Sequence, residues 1–408
     1  MNPTERMMVH LLDCAVNERA PDASLLDGVS WEAMFRLAQA HKIDALLLNP
    51  ICALPEDRQP PPNVLAAWQE NAMLTLMGQA LLTGELHELL YALEAAGVVA
   101  VVLKGIALKP LYPEPDLRTM SDADLLVKTG QYESARGVMA AQGLSLAETE
   151  PGVEVYASAQ GLRVELHERL FDKTAYGFLS RLDEEKMFPI GLARREAVHG
   201  GEAWVFPPMQ HALFMLCHMA KHMITTGFGL RQAADFSLFV KACDDTMDWP
   251  AFWKEARTLG LFEFTSALLW IGAEYLSLPR GAWARGAKAD EEAAQALLSD
   301  LLDAGVFGNR TEERKRSAAV VYRAYETKDA GKGRLRRAIF PSAKTLKAPY
   351  LYARKYPALL PVAWVHRWVK YALSLLTGQA KHSETAAGIQ IADERLRLLD
   401  KLGLRDDT

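Results

Sequence analysis

Apolar positions recur at helical spacing over residues 4–17 and 31–48, which predicts two short amphipathic helices. Ser30 is placed to cap the second, and Glu32 sits in its first turn, where a carboxylate meets the positive end of the helix dipole. Residues 51–62 hold four prolines and predict a loop. A helical pattern rich in Ala, Leu and Met then runs from Asn63 to Ala96. At about 1.5 Å per residue it approaches 50 Å if unbroken, with Gly78 and Gly84 as candidate interruptions and Gly97 as its end. The period then changes. Val99 to Leu103 is a β-branched apolar run that reads as a buried strand, and Ser121 to Val127 reads as a second strand. Gln131 to Gln142 is helical, stopped by Gly143, and residues 144–157 read as short strand and loop. Leu162 to Glu168 alternates, with Leu162, Val164 and Leu166 on one face and Arg163, Glu165 and His167 on the other. Gly200-Gly201 predicts a hairpin turn, closed off by Pro207 and Pro208. Beyond Gln210 the pattern is almost wholly helical: 209–225, 230–244, 250–260, 262–277, 291–306, 312–328 and further segments to Leu404.

A short run of strands between long helical stretches predicts an α/β (α+β) core with a small mixed sheet over residues 70–206. An N-terminal helical segment, 1–69, precedes it, and a mostly helical C-terminal part, 207–408, follows. With 408 residues, 50% hydrophobic and 24% charged, the chain has the composition of an ordinary globular protein. Cys14, Cys52, Cys217 and Cys243 are scattered with no Cys-x-x-Cys pair, which suggests neither a zinc ribbon nor a disulfide framework and points to a reducing compartment. The N-terminus lacks a basic region leading into an apolar core, and no apolar run reaches the roughly 20 residues that span a bilayer. The expected location is the bacterial cytoplasm.

The chemistry concentrates between Val99 and Val127. If Ser121-Asp122-Ala123-Asp124-Leu125 is extended, Asp122 and Asp124 share one face. Two adjacent carboxylates near a strand end call for a cation, and Mg²⁺ (or Mn²⁺) neutralises them while leaving positions for phosphate oxygens. Lys104-Gly105 ends the first strand. Glycine lets the backbone approach a ligand closely, and N–H groups at a helix start suit anions. Arg118 offers a planar fork for phosphate or simply lies on a surface loop. His211, His218 and His222 fall on one helical face. Met219 stands where the zinc-protease motif needs Glu, which argues against that class.

Lys104-Gly105, Tyr112-Pro113, Arg118 and Asp122-x-Asp124 together resemble a family of mostly uncharacterised bacterial nucleotidyltransferases in the DNA polymerase β-like superfamily. The resemblance extends from about residue 70 to 370. It implies transfer of a nucleoside monophosphate from an NTP to an acceptor, with release of pyrophosphate. Such transfer typically uses two divalent ions about 3.5–4 Å apart. By this resemblance Asp122, Asp124 and Glu165 are the catalytic and metal-binding carboxylates, with Glu165 standing where the superfamily usually has Asp, one methylene shorter. Lys104, Gly105 and Arg118 meet phosphate. His167, Lys221, His222 and Arg231 border the nucleotide or the acceptor, since the family also shows His-x-x-Lys-His followed by Arg and Asp, here Arg231 and Asp235.

Residues 310–382 carry 17 Lys/Arg against 4 Asp/Glu in a chain whose net charge is -5. Aromatics interleave them: Tyr322, Tyr325, Phe340, Tyr350, Tyr352, Tyr356, Trp364, Trp368 and Tyr371. This pattern suits RNA, an anionic membrane surface or an anionic acceptor, and equally a packed aromatic core with snorkelling cations. The acceptor is left open: small molecule, glycan, lipid-phosphate, protein or RNA. Two further readings stay beside the enzyme: a catalytically weakened nucleotide-binding or assembly module, and an RNA or membrane-surface binder through 310–382.

Overall fold

Seven strands, β1 (Val101–Val102), β2 (Ala123–Leu126), β3 (Ser145–Glu150), β4 (Val153–Ala157), β5 (Arg163–His167), β6 (Arg194–Val198) and β7 (Gly201–Val205), form one mixed sheet in the order β3-β4-β5-β2-β1-β7-β6. They were located in a computed structural model that describes residues 1–150, 152–171, 177–305, 350, 352–376 and 382–405, with isolated positions 314, 317, 318, 321 and 340. β1 runs antiparallel to β2 and parallel to β7, and β2 runs parallel to β5. The expected mixed sheet is therefore present. The loop expected within 144–157 is instead a nearly continuous β3–β4 hairpin.

Helices flank the sheet. Before it come α1 (Pro3–Asn17), α2 (Trp31–His41), α3 (Asp44–Cys52) and α4 (Pro62–Ala95). Ser30 caps α2 as expected, its hydroxyl accepting from the Ala33 N–H at 3.3 Å. The helix expected over 31–48 divides at Lys42, whose φ of 56° is left-handed, and α3 continues through Pro50 into the expected loop. α4 is unbroken over 34 residues. Gly78 and Gly84 do not interrupt it, because a glycine inside a helix costs only about 1 kcal/mol. Its Leu86, Leu89 and Leu93 are buried in one core with Val102, Leu125, Val164 and Leu166 of the sheet. At roughly 1.5–3 kcal/mol for each fully buried apolar side chain, this layer holds the strands together.

After β2 comes α5 (Tyr132–Ala141). Two short helices, α6 (Gly177–Ser180) and α7 (Glu184–Met187), lie between β5 and β6. The Gly200-Gly201 hairpin forms with Val198 paired to Gly201, and Gly200 has φ +83°. Then follow α8 (Pro208–Ile224), α9 (Leu230–Cys243), α10 (Trp249–Thr258), α11 (Phe262–Tyr275) and α12 (Glu291–Ala304), close to the helices read from the pattern. The helix expected over 312–328 lies largely outside the described residues.

The chain divides into two compact units, Met1–Arg310 with Leu398–Thr408, and Thr311–Arg397. The sheet belongs to the first. Much of the basic stretch 310–382, with Tyr322 and Tyr325, lies outside the described residues. Within the second unit, Phe340 packs edge-on against Trp364 and Trp368, each at 5.1 Å, and Tyr350 packs against His366 at 5.2 Å. These aromatics thus meet other rings. Among the described residues no helix is long and apolar enough to cross a membrane.

Candidate active site

Parallel pairing of β2 with β5 sets Asp124 opposite Glu165 and Leu126 opposite His167. Residues two apart in a strand share a face, so Asp124, Glu165 and His167 emerge together. Their ligand atoms all lie within 4.8 Å of one another. His167 Nε2 is 3.3 Å from Asp124 Oδ1 and 3.5 Å from Glu165 Oε2. Asp122 lies one pleat earlier, just before β2. Its carboxylate and that of Glu165 are each about a third exposed, at 30% and 32%, whereas Asp124 is 1% exposed.

Lys104 arrives from the neighbouring strand. The Leu103 N–H donates to the Asp124 carbonyl at 3.2 Å, holding the end of β1 against β2 where Lys104 leaves the sheet. The Lys104 ammonium reaches Asp124 Oδ2 at 3.1 Å and Asp122 Oδ2 at 3.4 Å. From above, α8 lowers His218, whose Nε2 is 3.2 Å from Lys104 Nζ and 3.3 Å from His222 Nε2. α4 acts from the other side. Gln79 brackets the Met120 backbone, donating to its carbonyl at 3.0 Å and accepting from its N–H at 2.6 Å, two residues before Asp122.

The charges are strongly coupled. Burial by itself would lower the Lys104 ammonium, but Asp122, Asp124 and Glu165 outweigh it and hold the pKa above the ordinary lysine value. Burial also works against charge on His167, yet the Asp124 and Glu165 carboxylates raise its pKa to about 9. Glu165 is held below its usual value: burial opposes this, and the His167 hydrogen bond and the Lys104 charge prevail. The α8 histidines move the other way. Burial and then the nearby Lys104 push His218 well below the usual imidazole value and His222 to about 4.

A divalent ion fits Asp124, Glu165 and His167. Asp124 Oδ2 has no well-directed hydrogen bond despite its ion pair, and His167 Nε2 faces both carboxylates. A buried polar atom left without a hydrogen bond costs about 1–3 kcal/mol. Two carboxylates and one imidazole suit Mg²⁺ or Mn²⁺, with the imidazole favouring the transition metal.

Gly105 has φ +67°, and a Cβ there would meet Met120 Sδ at 2.8 Å, so glycine is required by backbone conformation and packing. Arg118 lies deeper than a phosphate-facing side chain. It is 3% exposed, and its Nε and Nη2 donate to the two Asp235 oxygens at 2.9 and 2.6 Å. Its Nη1 donates to the Gly105 carbonyl at 3.4 Å, and the Tyr112 hydroxyl donates to Asp235 at 2.8 Å. Arg231 donates to the Thr119 carbonyl and hydroxyl at 2.7 and 2.8 Å. Arg118 and Arg231 thus tie α9 to the loop between β1 and β2. Lys221 and His222 lie on α8, half-buried, and only His222 is joined to the carboxylates, through His218. A cavity of about 690 Å³ contains none of these groups. It lies past the C-terminal ends of β2 and β5, lined by Lys128, Arg169, Phe171, Glu184 and Phe188 among others.

The model of the uncharacterised nucleotidyltransferase family matches residues 27–277, more than half of the chain. The chain belongs to this family. The match takes in every strand of the sheet, and helices α2 to α5 and α8 to α11 around it. No curated protein and no solved structure matches the chain. Family membership makes this nucleotidyltransferase an enzyme of nucleotidyl transfer, and it fits the carboxylates that β2 and β5 bring together.

Of the two further side chains at this candidate site, His218 stands out in the sequence only for its helical face, and Gln79 does not stand out. His218 has a signal, its i, i+4 spacing with His222. Gln79 has none, because nothing in the long, Ala- and Leu-rich α4 marks the position that meets the Met120 backbone.

Proposed function

We propose that this chain transfers a nucleoside monophosphate from an NTP to an acceptor, with a divalent ion held by Asp124, Glu165 and His167. The observation that carries the reading is the β2–β5 register, which gathers two carboxylates and an imidazole on one face beside Asp122 and Lys104. When bound, such an ion supplies Lewis-acid charge at the phosphate oxygens. The chain's own groups do the rest. Asp124 forms the closed back of the site. Asp122 and Glu165, both partly exposed, face the side from which triphosphate and acceptor arrive. Glu165, a carboxylate at neutral pH, orients the acceptor hydroxyl and accepts its hydrogen bond. Lys104 adds fixed positive charge beside the phosphates. Arg118 and Arg231 act at one remove, keeping the loop that carries Gly105 and Thr119 in place. Fold likeness alone would not license this reading; the convergence of these side chains does.

The test is pyrophosphate release from each of the four NTPs with Mg²⁺ or Mn²⁺, cell extract serving as the source of acceptor. Release is expected, higher with Mn²⁺ because of the imidazole ligand. An Asp124→Asn chain should retain its fold and lose at least about 100-fold of the rate, the scale set by removing a key electrostatic group. Metal-dependent NTP binding without release would mark the chain as a binding module.

A further inference from the structure

Lys104 Nζ lies among three acceptors: Asp124 Oδ2 at 3.1 Å, His218 Nε2 at 3.2 Å and Asp122 Oδ2 at 3.4 Å. An ammonium has three N–H donors and accepts nothing. Toward Lys104, His218 must therefore present its Nε2 lone pair. His222 Nε2 lies 3.3 Å from the same atom. Two carboxylate oxygens and an imidazole nitrogen around a positive centre are also the surroundings a metal ion takes. The Lys104 side chain is 20% exposed, so the charge sits inside the cleft rather than at its rim.

We propose that the Lys104 ammonium is a resident cation of the transfer site, occupying the place of a second divalent ion, so that the site takes one metal ion. The inference rests on the nucleotidyl-transfer reading above. Charge supports it. With His167 neutral as a ligand of the ion, Asp122, Asp124 and Glu165 carry three negative charges, and one divalent ion with one ammonium supplies three positive charges. A second divalent ion between Asp122 and Asp124 would have to displace Lys104 from all three acceptors or lie against a like charge in a partly enclosed cleft. His218 then has a definite part: it is a positioning residue that holds the ammonium over the aspartate pair.

The test counts ions. Mn²⁺ is titrated into the full chain with a non-hydrolysable analogue of each NTP, and bound ions are read by calorimetry and low-temperature EPR. One ion in the complex of chain and analogue, with the six-line spectrum of an isolated Mn²⁺, is expected. Lys104→Gln should raise the count to two and give the exchange-coupled spectrum of a close pair, while Lys104→Arg keeps one ion. Circular dichroism checks that each variant is folded, and the wild-type count stands whether or not the variants fold. A coupled pair in the wild-type chain, or a folded Lys104→Gln chain that stays at one ion, overturns the proposal and leaves nucleotidyl transfer intact. If no Mn²⁺ binding is lost on Asp124→Asn, the transfer reading itself falls, and this inference with it.

Discussion

Arg118 and Asp235 form a deeply buried ion pair, with the Tyr112 hydroxyl on the same carboxylate. Burial alone would raise the Asp235 carboxyl, but the Arg118 guanidinium reverses this and holds it below the usual range. Removing one partner strands a buried charge, which costs about 3–5 kcal/mol. Arg118→Ala and Asp235→Ala should each lose that much in urea unfolding. Tyr112→Phe, which removes one hydrogen bond to a charged group, should lose about 1.5–3 kcal/mol. Because the folded pKa of Asp235 is depressed, its contribution is present above about pH 4. It is lost as pH falls through the lower folded value. His211 behaves as a separate acid-sensitive group. It is 4% exposed, and burial lowers its pKa to about 4 against the opposing effect of a hydrogen bond with the Leu103 backbone. Between pH 6.5 and about 4 the unfolded chain binds a proton that folded His211 does not. Stability should therefore fall by about 1.4 kcal/mol per pH unit across this window. A His211→Gln chain should show a slope shallower by that amount.

At the scale of elements, one substitution should act with opposite sign at two glycines. Gly105 is left-handed and pressed against Met120 at the turn out of β1, so Gly105→Ala should destabilise by about 1–3 kcal/mol. Gly78 lies within α4 with nothing within 4 Å of an added Cβ, so Gly78→Ala should stabilise by about 0.5–1 kcal/mol. Thermal melts of the two variants check both signs. Leu125, 0% exposed at the centre of the sheet between Asp124 and Leu126, should cost about 2–5 kcal/mol when cut to Ala. Much of this level was legible in the pattern. Alternation along 162–168 placed Glu165 and His167 on one face, because a strand repeats every two residues whatever it pairs with. The strand expected over Val99 to Leu103 narrows to Val101–Val102. Apolar content marks a buried segment, whereas ladder hydrogen bonds decide how much of it is strand.

At the scale of the molecule, the proposed metal site links ion binding to folding. A ligand bound only by the folded chain stabilises it by about 2.7 kcal/mol at a hundred times its Kd. Mn²⁺ should therefore raise the Tm of the wild-type chain in a concentration-dependent way and leave an Asp124→Asn chain nearly unmoved. The family match over 27–277 spans more than the sheet, which agrees with a site assembled from α4, α8 and α9 as well as β1, β2 and β5. Local sequence by itself determined the helices, the extended Asp122-x-Asp124 segment and the shared face of Glu165 and His167, because these follow from periods of 3.6 and 2 set by backbone geometry. Only the tertiary structure decided that Asp124 stands opposite Glu165, that Lys104 turns onto the aspartates, that His218 closes over it and that Arg118 faces Asp235. Each of these joins residues far apart in the chain. Their meeting depends on strand order, register and helix docking, which are set by how the whole core packs rather than by any one segment.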